Sequence, residues 1–173
     1  MYCYEDRITD ELIETIASEE KICNYLDIPI QHASNHVLKA MNRRSTAASI
    51  DQTVKNLKKS IPDIHIRTTL IVGFPGETEE DYEELIDFVE RERFARLGVF
   101  AYSQEENTAA GEMENQIDEE IKEQRLDGIM RRQLDISLEL NREKIGSTLE
   151  VLVEEEDAAG SYIGRTRYDA PEI

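Results

Sequence analysis

The sequence predicts an α/β protein in which a parallel sheet or barrel is followed by one long helix and a small antiparallel unit. Three observations carry that prediction. Between residues 22 and 102 the apolar pattern runs strand, helix, strand, helix, strand, the order in which parallel sheets are wound. Residues 64–74 end as a nearly continuous β-branched and apolar run, the pattern of a parallel strand covered on both faces. Past Gly146 the pattern changes to alternating polar and apolar positions, as antiparallel strands require.

Each element has a local cause. Residues 1–4 are a short extended start, and Thr9 is placed to cap a helix over 9–18 whose apolar stripe is Leu12, Ile13 and Ile16. A strand is predicted over 22–30, with Pro29 where it should be ending and Cys23 inside it as a small buried hydrophobe. Ser34 can cap a helix carrying Val37, Leu38 and Met41, and the Asn42-Arg43-Arg44 patch beyond it reads as solvated surface. A second helix presents Ile50, Val54 and Leu57 on one face. Gly73-Phe74-Pro75-Gly76 breaks the apolar run at 64–74. Thr78 followed by Asp81 resembles a capping box, with Glu79 and Glu80 complementing the helix dipole. Tyr82, Leu85, Ile86 and Val89 then mark an amphipathic helix, and residues 96–102 another strand.

Residues 117–145 form one helical stretch, with Ile121, Leu126, Ile129, Ile136 and Leu140 among its apolar positions. Residues 148–153 and 162–167 are strands joined by a turn at 157–160. Two such strands are not stable alone, and three parallel strands leave a barrel incomplete with an open pairing edge. The chain therefore reads as a piece of a larger protein, expected to aggregate or remain partly molten in isolation.

Composition narrows the function. The 173 residues hold 38 acidic and 20 basic side chains, a formal net charge of −18. No apolar run approaches the roughly 18 residues of a membrane span, and no charged-then-apolar leader opens the chain, so a cytoplasmic location is expected. Two cysteines 20 positions apart make neither a disulfide scaffold nor a thiolate-held zinc or iron–sulfur site. The charge is uneven: residues 1–75 carry 10 acidic and 9 basic side chains, net −1, so residues 76–173 are net −17. Such a surface is either a plain solvated face or one that attracts basic partners and repels phosphate backbones.

In parallel α/β proteins the working residues lie at the C-terminal ends of the strands. Here these are residues 29–34, 73–78 and 102–108. The two glycines around Phe74-Pro75 serve either a tight βα turn or a close approach to a ligand, whose carboxylate or polar edge the loop N–H groups would receive. Gln31 and His32 follow a strand end, and a lone His is more often structural than catalytic. Arg67, inside an apolar strand, needs an anion, supplied either by an acid of the chain or by a ligand carboxylate. Nothing in the sequence gives Cys3 a reactive microenvironment.

Taken together, three segments are more specific than any one of them: Asp27-Ile28-Pro29-Ile30-Gln31-His32-Ala33-Ser34, then Arg67-Thr68-Thr69-Leu70-Ile71-Val72-Gly73-Phe74-Pro75-Gly76-Glu77-Thr78, then Val99-Phe100-Ala101-Tyr102-Ser103. In this order and spacing the chain resembles the methylthiotransferase branch of the radical S-adenosylmethionine enzymes. Within that branch, Gln104-Glu105-Glu106 and the ending Gly164-Arg165-Thr166 … Asp169-Ala170-Pro171-Glu172-Ile173 are closest to the members acting on an aspartate of small-subunit ribosomal protein twelve.

The resemblance implies the C-terminal half of a radical-SAM partial TIM-type (β/α) barrel over 1–115, a connecting helix over 116–146, and the first strands of an all-β TRAM domain over 147–173. It implies S-adenosylmethionine and two 4Fe–4S clusters, one held by a CxxxCxxC motif absent from these residues, together with an external reductant. It also implies a cofactor pocket at the barrel mouth, with Gln31, Arg67, Gly73 and Glu77 as its contacts; Glu77 has the alternative of only starting its helix. No catalytic residue and no metal ligand is assigned within the chain, which is expected to be inactive alone. The family's usual Gly before Thr108 is Asn107 here, and its following Pro is Ala109. Asn tolerates a left-handed backbone, so the turn is expected to survive.

A basic ribosomal protein suits the acidic C-terminal region better than RNA does, and no membrane partner is indicated. Two alternatives stand beside this reading: a relative that modifies tRNA, and a non-catalytic acidic interaction module.

Overall fold

Three parallel strands, β1 (Tyr25–Gln31), β2 (His65–Val72) and β3 (Arg96–Ala101), form a sheet in the order β1-β2-β3. The computed structural model describes residues 2–170. Met1 and the closing Pro171-Glu172-Ile173 of the C-terminal motif lie outside the described residues. Helix α1 (Asp10–Ser18) precedes the sheet, α2 (Asn35–Ala40) and α3 (Ala47–Ser60) join β1 to β2, and α4 (Glu79–Glu92) joins β2 to β3. The long α5 (Glu119–Glu143) returns across β3, and β4 (Val151–Glu156) pairs antiparallel with β5 (Tyr162–Thr166). Among the described residues no helix is long and apolar enough to cross a membrane.

The caps form where the sequence places them. Thr9 accepts the Leu12 N–H, Ser34 the His36 N–H, and Thr78 with Asp81 closes a full capping box. Asn107 adopts the left-handed turn conformation expected of it, at φ 61°. The helices cover one face of the sheet. Leu26, Ile28 and Ile30 of β1, Leu70 and Val72 of β2, and Leu97 and Val99 of β3 pack there against Ile50, Leu57, Leu85, Val89 and Ile129. Each such aliphatic side chain contributes about 1.5–3 kcal/mol by leaving water.

Five expectations are corrected. The first strand begins at Tyr25, because residues 19–24 are a turn in which Ile22 N–H donates to the Glu19 carbonyl; Cys23 is therefore exposed, not buried. Pro29 sits inside β1, where the register slips between Ile28 and Gln31 on an outer strand, so its missing N–H removes no ladder bond. The second strand is covered on one face only: Ile66, Thr68, Leu70 and Val72 are buried while His65, Arg67, Thr69 and Ile71 are half-exposed, since helices lie on one side alone. Arg43 is not solvated; its guanidinium donates to the Pro29 carbonyl, lies 3.5 Å from Glu5 and covers the Tyr4 ring. Ile121 is exposed, because α5 turns Lys122, Arg125, Ile129, Gln133 and Ile136 inward instead.

Candidate functional site

The register puts Asp27, Arg67 and Arg96 side by side on the open face of the sheet, in line with Thr69, Gly98 and Phe100. The C-terminal ends of the strands then form a mouth built from residues 31–34, 73–77 and 102. Gln31 stands at the end of β1 with φ 72°, a conformation that costs a non-glycine residue about 1–3 kcal/mol. Its buried Oε1 has no hydrogen-bond partner within the protein. Tyr102, whose N–H extends the β2–β3 ladder to the Val72 carbonyl, leaves its buried hydroxyl equally unpaired and packs edge-on against Phe74 at 5.2 Å. Tyr25 Oη and Asp27 Oδ1 are two further unpaired buried atoms, nearer the base of the open face.

Arg67 finds its anion in the chain itself: Nη1 donates to Asp27 Oδ2 at 2.8 Å. The pair leaves Asp27 Oδ1 free, and the Arg67 side chain keeps more than a third of its surface exposed.

Glu77 is fully buried beneath its own loop. Its Oε2 accepts the N–H groups of Gly73 at 2.5 Å and Phe74 at 3.1 Å, while Oε1 accepts Arg125 Nη1 at 3.0 Å. The anion that the loop N–H groups receive is therefore a side chain of the protein. Burial pushes the Glu77 carboxyl upward; Arg125 and the two N–H groups pull it back. Gly73 has φ 71° and Gly76 φ 84°, and a Cβ on either would strike the chain, at 2.3 Å from Lys122 Cγ and 2.3 Å from Asn115 Nδ2. The glycines thus admit side chains from the start of α5 and the loop before it, as well as making the turn.

His32 lies beneath this loop, fully buried. Its Nδ1 accepts the Ser34 N–H at 3.0 Å, which leaves the proton on Nε2, 3.9 Å from Glu77 Oε2. Burial lowers its pKa to about 4, with Arg125 and His36 pushing the same way and Asp81 opposing them, so the ring is neutral near pH 7. Asp81 ties α2 to α4. Burial raises its pKa, but hydrogen bonds from Ser34, Thr78 and His36 outweigh that and hold the carboxyl well below the usual range.

The mouth therefore assembles Gln31, Gly73 and Glu77, while Arg67 lies lower on the open face. Tyr102 stands at the mouth as its strand end implied, and Lys122, Asn115 and Arg125 are participants that sequence reasoning missed. Lys122 and Arg125 had only a weak signal, polar residues at inward helical spacing in α5. Cys3 is a half-buried and Cys23 an exposed free thiol, and among the described residues no group of three or more His, Cys, Asp or Glu is placed to hold a metal ion.

At the opposite end of the sheet, the tail of β5 docks. Tyr168 stacks on His65 at 4.0 Å, and Asp169 pairs with Arg96 at 3.0 Å. The antiparallel unit is thereby anchored at the base of the strands, away from the mouth.

The TRAM domain matches residues 145–173. The ribosomal protein uS12 methylthiotransferase RimO of Clostridioides difficile is 54% identical over 173 residues, covering all of this chain and 39% of that protein. The RimO of Heliobacterium modesticaldum is 49% identical over the same length and is covered to 38%. The chain thus spans about 39% of the length of the curated relatives it matches. Among solved structures, Escherichia coli coproporphyrinogen III oxidase (HemN), a radical SAM enzyme, superposes with a TM-score of 0.60 over 80% of this chain and 31% of that one at 18% identity, a likeness of fold. Archaeal Elp3 from Methanocaldococcus infernus follows at 0.52 over 65% of this chain and 26% of that one, also at 18% identity. The Radical SAM superfamily matches residues 2–89, which hold β1, β2, the mouth loop and most of α4, and the chain belongs to that superfamily.

Proposed function

We propose that this chain forms the cofactor-holding mouth, connecting helix and first TRAM strands of a RimO-type methylthiotransferase, divided near residues 115 and 146, and that the substrate is an aspartate of ribosomal protein uS12. The observation that carries the proposal is Gln31, where a strained backbone and a buried, unpaired Oε1 coincide at a strand end. Strain at such a place is stable only when its surroundings enforce it, and an unpaired buried oxygen is suited to a polar ligand.

The residues present fit S-adenosylmethionine. Gln31 Oε1 and the Tyr102 hydroxyl offer unpaired polar atoms at the mouth, and Arg67, with Asp27 Oδ1 beside it, offers charge on the open face. Gly73 shapes the loop, and Glu77 holds it by neutralising Arg125 and collecting the loop N–H groups. Glu77 is thus a positioning residue whose loss acts through the loop. When bound, S-adenosylmethionine supplies the radical chemistry of the family. The cysteines present do not fit a 4Fe–4S cluster. The proposal assigns both clusters' ligands, and the contact with the external reductant, to sequence beyond these 173 residues.

The test is equilibrium binding of S-adenosylmethionine to the full-length protein and its Gln31→Ala variant, with circular dichroism as the check on folding. A loss of about tenfold or more in affinity is expected; binding within about twofold of the parent refutes the pocket. Ribosomal protein uS12 and tRNA are then compared as ligands. Tight, salt-sensitive binding of tRNA in place of uS12 refutes the substrate assignment.

A further inference from the structure

We propose that Arg43, on the outer edge of β1, is a positioning residue that fixes the backbone bend presenting Gln31 to the cofactor. The inference rests on the S-adenosylmethionine reading of the mouth and adds to it a residue outside the pocket that acts through one inside it.

Strand β1 bends just before its end. Pro29 and Ile30 together stand opposite the single Thr69, between the pairs Ile28–Thr68 and Gln31–Leu70. An extra residue of this kind bends a strand and re-aims the side chain beyond it. The residue re-aimed here is Gln31, with φ 72° and its buried Oε1 unpaired. Such a backbone persists only where its surroundings hold it. On the inner side the ladder to β2 does so.

On the outer edge, the Asp27 carbonyl accepts the Cys3 N–H at 2.9 Å. The next carbonyl facing the same way is that of Pro29, two residues on. By then the chain has turned off the edge into a short 3-10 helix over Glu5–Arg7. The Arg43 guanidinium serves this carbonyl instead, Nη2 donating to it at 2.5 Å.

Arg43 is delivered by the end of α2. Asn42 closes the helix with a left-handed backbone, φ 57°; its N–H donates to the Lys39 carbonyl and the Arg43 N–H to the Leu38 carbonyl. This pair of bonds stops the helix and turns the chain. The Arg43 side chain is then held from two sides. Buried Glu5 places Oε2 3.5 Å from the same Nη2, and the Tyr4 ring lies 5.2 Å from the guanidinium carbon. Among the described residues Glu5 has no other ion pair. A buried carboxylate needs a facing cation, so Glu5 and Arg43 fix one another. A charged donor fixed in this way is a firm anchor for one carbonyl. The chain of contacts runs from Glu5 through Arg43 and the Pro29 carbonyl to the backbone of Gln31.

The test measures S-adenosylmethionine affinity of the full-length protein and amide exchange over residues 28–34. Arg43→Met is expected to weaken binding about tenfold and to accelerate that exchange about tenfold. Because Arg43 acts through Gln31, adding Arg43→Met to Gln31→Ala should weaken binding by less than about a further twofold. Leu57→Ala, a core change under α3, controls for general loss of stability and should bind within about twofold of the parent. Arg43→Lys keeps a cation without the fork and should lose only about threefold. If Arg43→Met does not fold, Arg43→Lys replaces it: a threefold loss that vanishes in the Gln31→Ala background supports the inference, and parental affinity overturns it. Fully additive losses from Arg43→Met and Gln31→Ala, or an equal loss from Leu57→Ala, also overturn it. If Gln31→Ala weakens binding and Arg43→Met does not, the pocket reading stands and the inference falls. If Gln31→Ala binds like the parent, the pocket reading fails; faster exchange over residues 28–34 in Arg43→Met then still supports the anchoring of the bend, and unchanged exchange overturns it.

Discussion

Replacing Glu77 by glutamine is expected to loosen the mouth loop by about 3 kcal/mol. Glutamine keeps the shape of the side chain, so no cavity opens. What disappears is the charge facing Arg125, whose side chain is only 8% exposed, and the acceptor capacity that collects the N–H groups of Gly73 and Phe74. Whichever way the amide turns, its NH₂ group faces donors, either Arg125 or the two backbone N–H groups. Arg125's second partner, Glu79, is 70% exposed and too well solvated to compensate. Stripping one side of a buried pair costs about 3–5 kcal/mol, and the oxygen that glutamine retains keeps this case at the low end.

Three kcal/mol corresponds to roughly 100-fold in an equilibrium constant. Amide hydrogen exchange of residues 73 and 74 in the full-length protein, followed by mass spectrometry at fixed pH, should therefore accelerate by about that factor. Arg125→Met should act similarly. The double variant should cost less than the sum of the two by about 1–3 kcal/mol, because neither charge is then left buried alone. Exchange within about threefold of the parent, or strict additivity of the two changes, would refute the reasoning.

Gly73→Ala should destabilise the loop by about 2–4 kcal/mol, combining the left-handed backbone with a Cβ 2.3 Å from Lys122 Cγ. Adding Lys122→Ala should recover the steric part and leave the backbone part, as read by thermal denaturation. His32 sets a pH dependence: its folded pKa, about 4, lies below the ordinary value of 6.5, so its contribution is complete above pH 6.5 and lost as pH falls toward 4. The loss totals about 3 kcal/mol, and a His32→Phe variant should flatten that part of a stability-versus-pH curve. Asp81, held below the usual carboxylate range, adds a further loss below about pH 4; Asp81→Asn should remove it. Leu134→Glu, on the outer side of α5 and 69% exposed, should change stability by less than about 0.5 kcal/mol, and a larger loss in chemical denaturation would mean that face is covered.

How much of this was legible from the residues differs element by element. Caps and amphipathic stripes are local, so Thr9, Ser34 and the pairing of Thr78 with Asp81 could be read directly. Their partners lie within four residues along the chain. The two-strand unit past Gly146 was equally plain, though β4 begins at Val151 and not at 148. The resemblance segments marked all three strand ends that make the mouth. What periodicity could not show is that β2 has helices on one side only, because an apolar run looks the same whether one face or two are covered.

The sequence by itself determined the parallel α/β order, the capped helices, the place of the mouth at the strand ends and the net charge of −18. Each of these depends on neighbours in the chain or on composition. Only the tertiary structure decided which groups meet across it. It turned Glu77 under its own loop to face Arg125, 48 residues away, and paired Arg67 with Asp27 across 40. It filled the Cβ sides of Gly73 and Gly76 with Lys122 and Asn115, left the oxygen of Gln31 without a hydrogen-bond partner inside the protein, and left the ring of Phe100 mostly exposed. A buried charge needs a countercharge somewhere, and the sequence shows that need without showing where the fold supplies it.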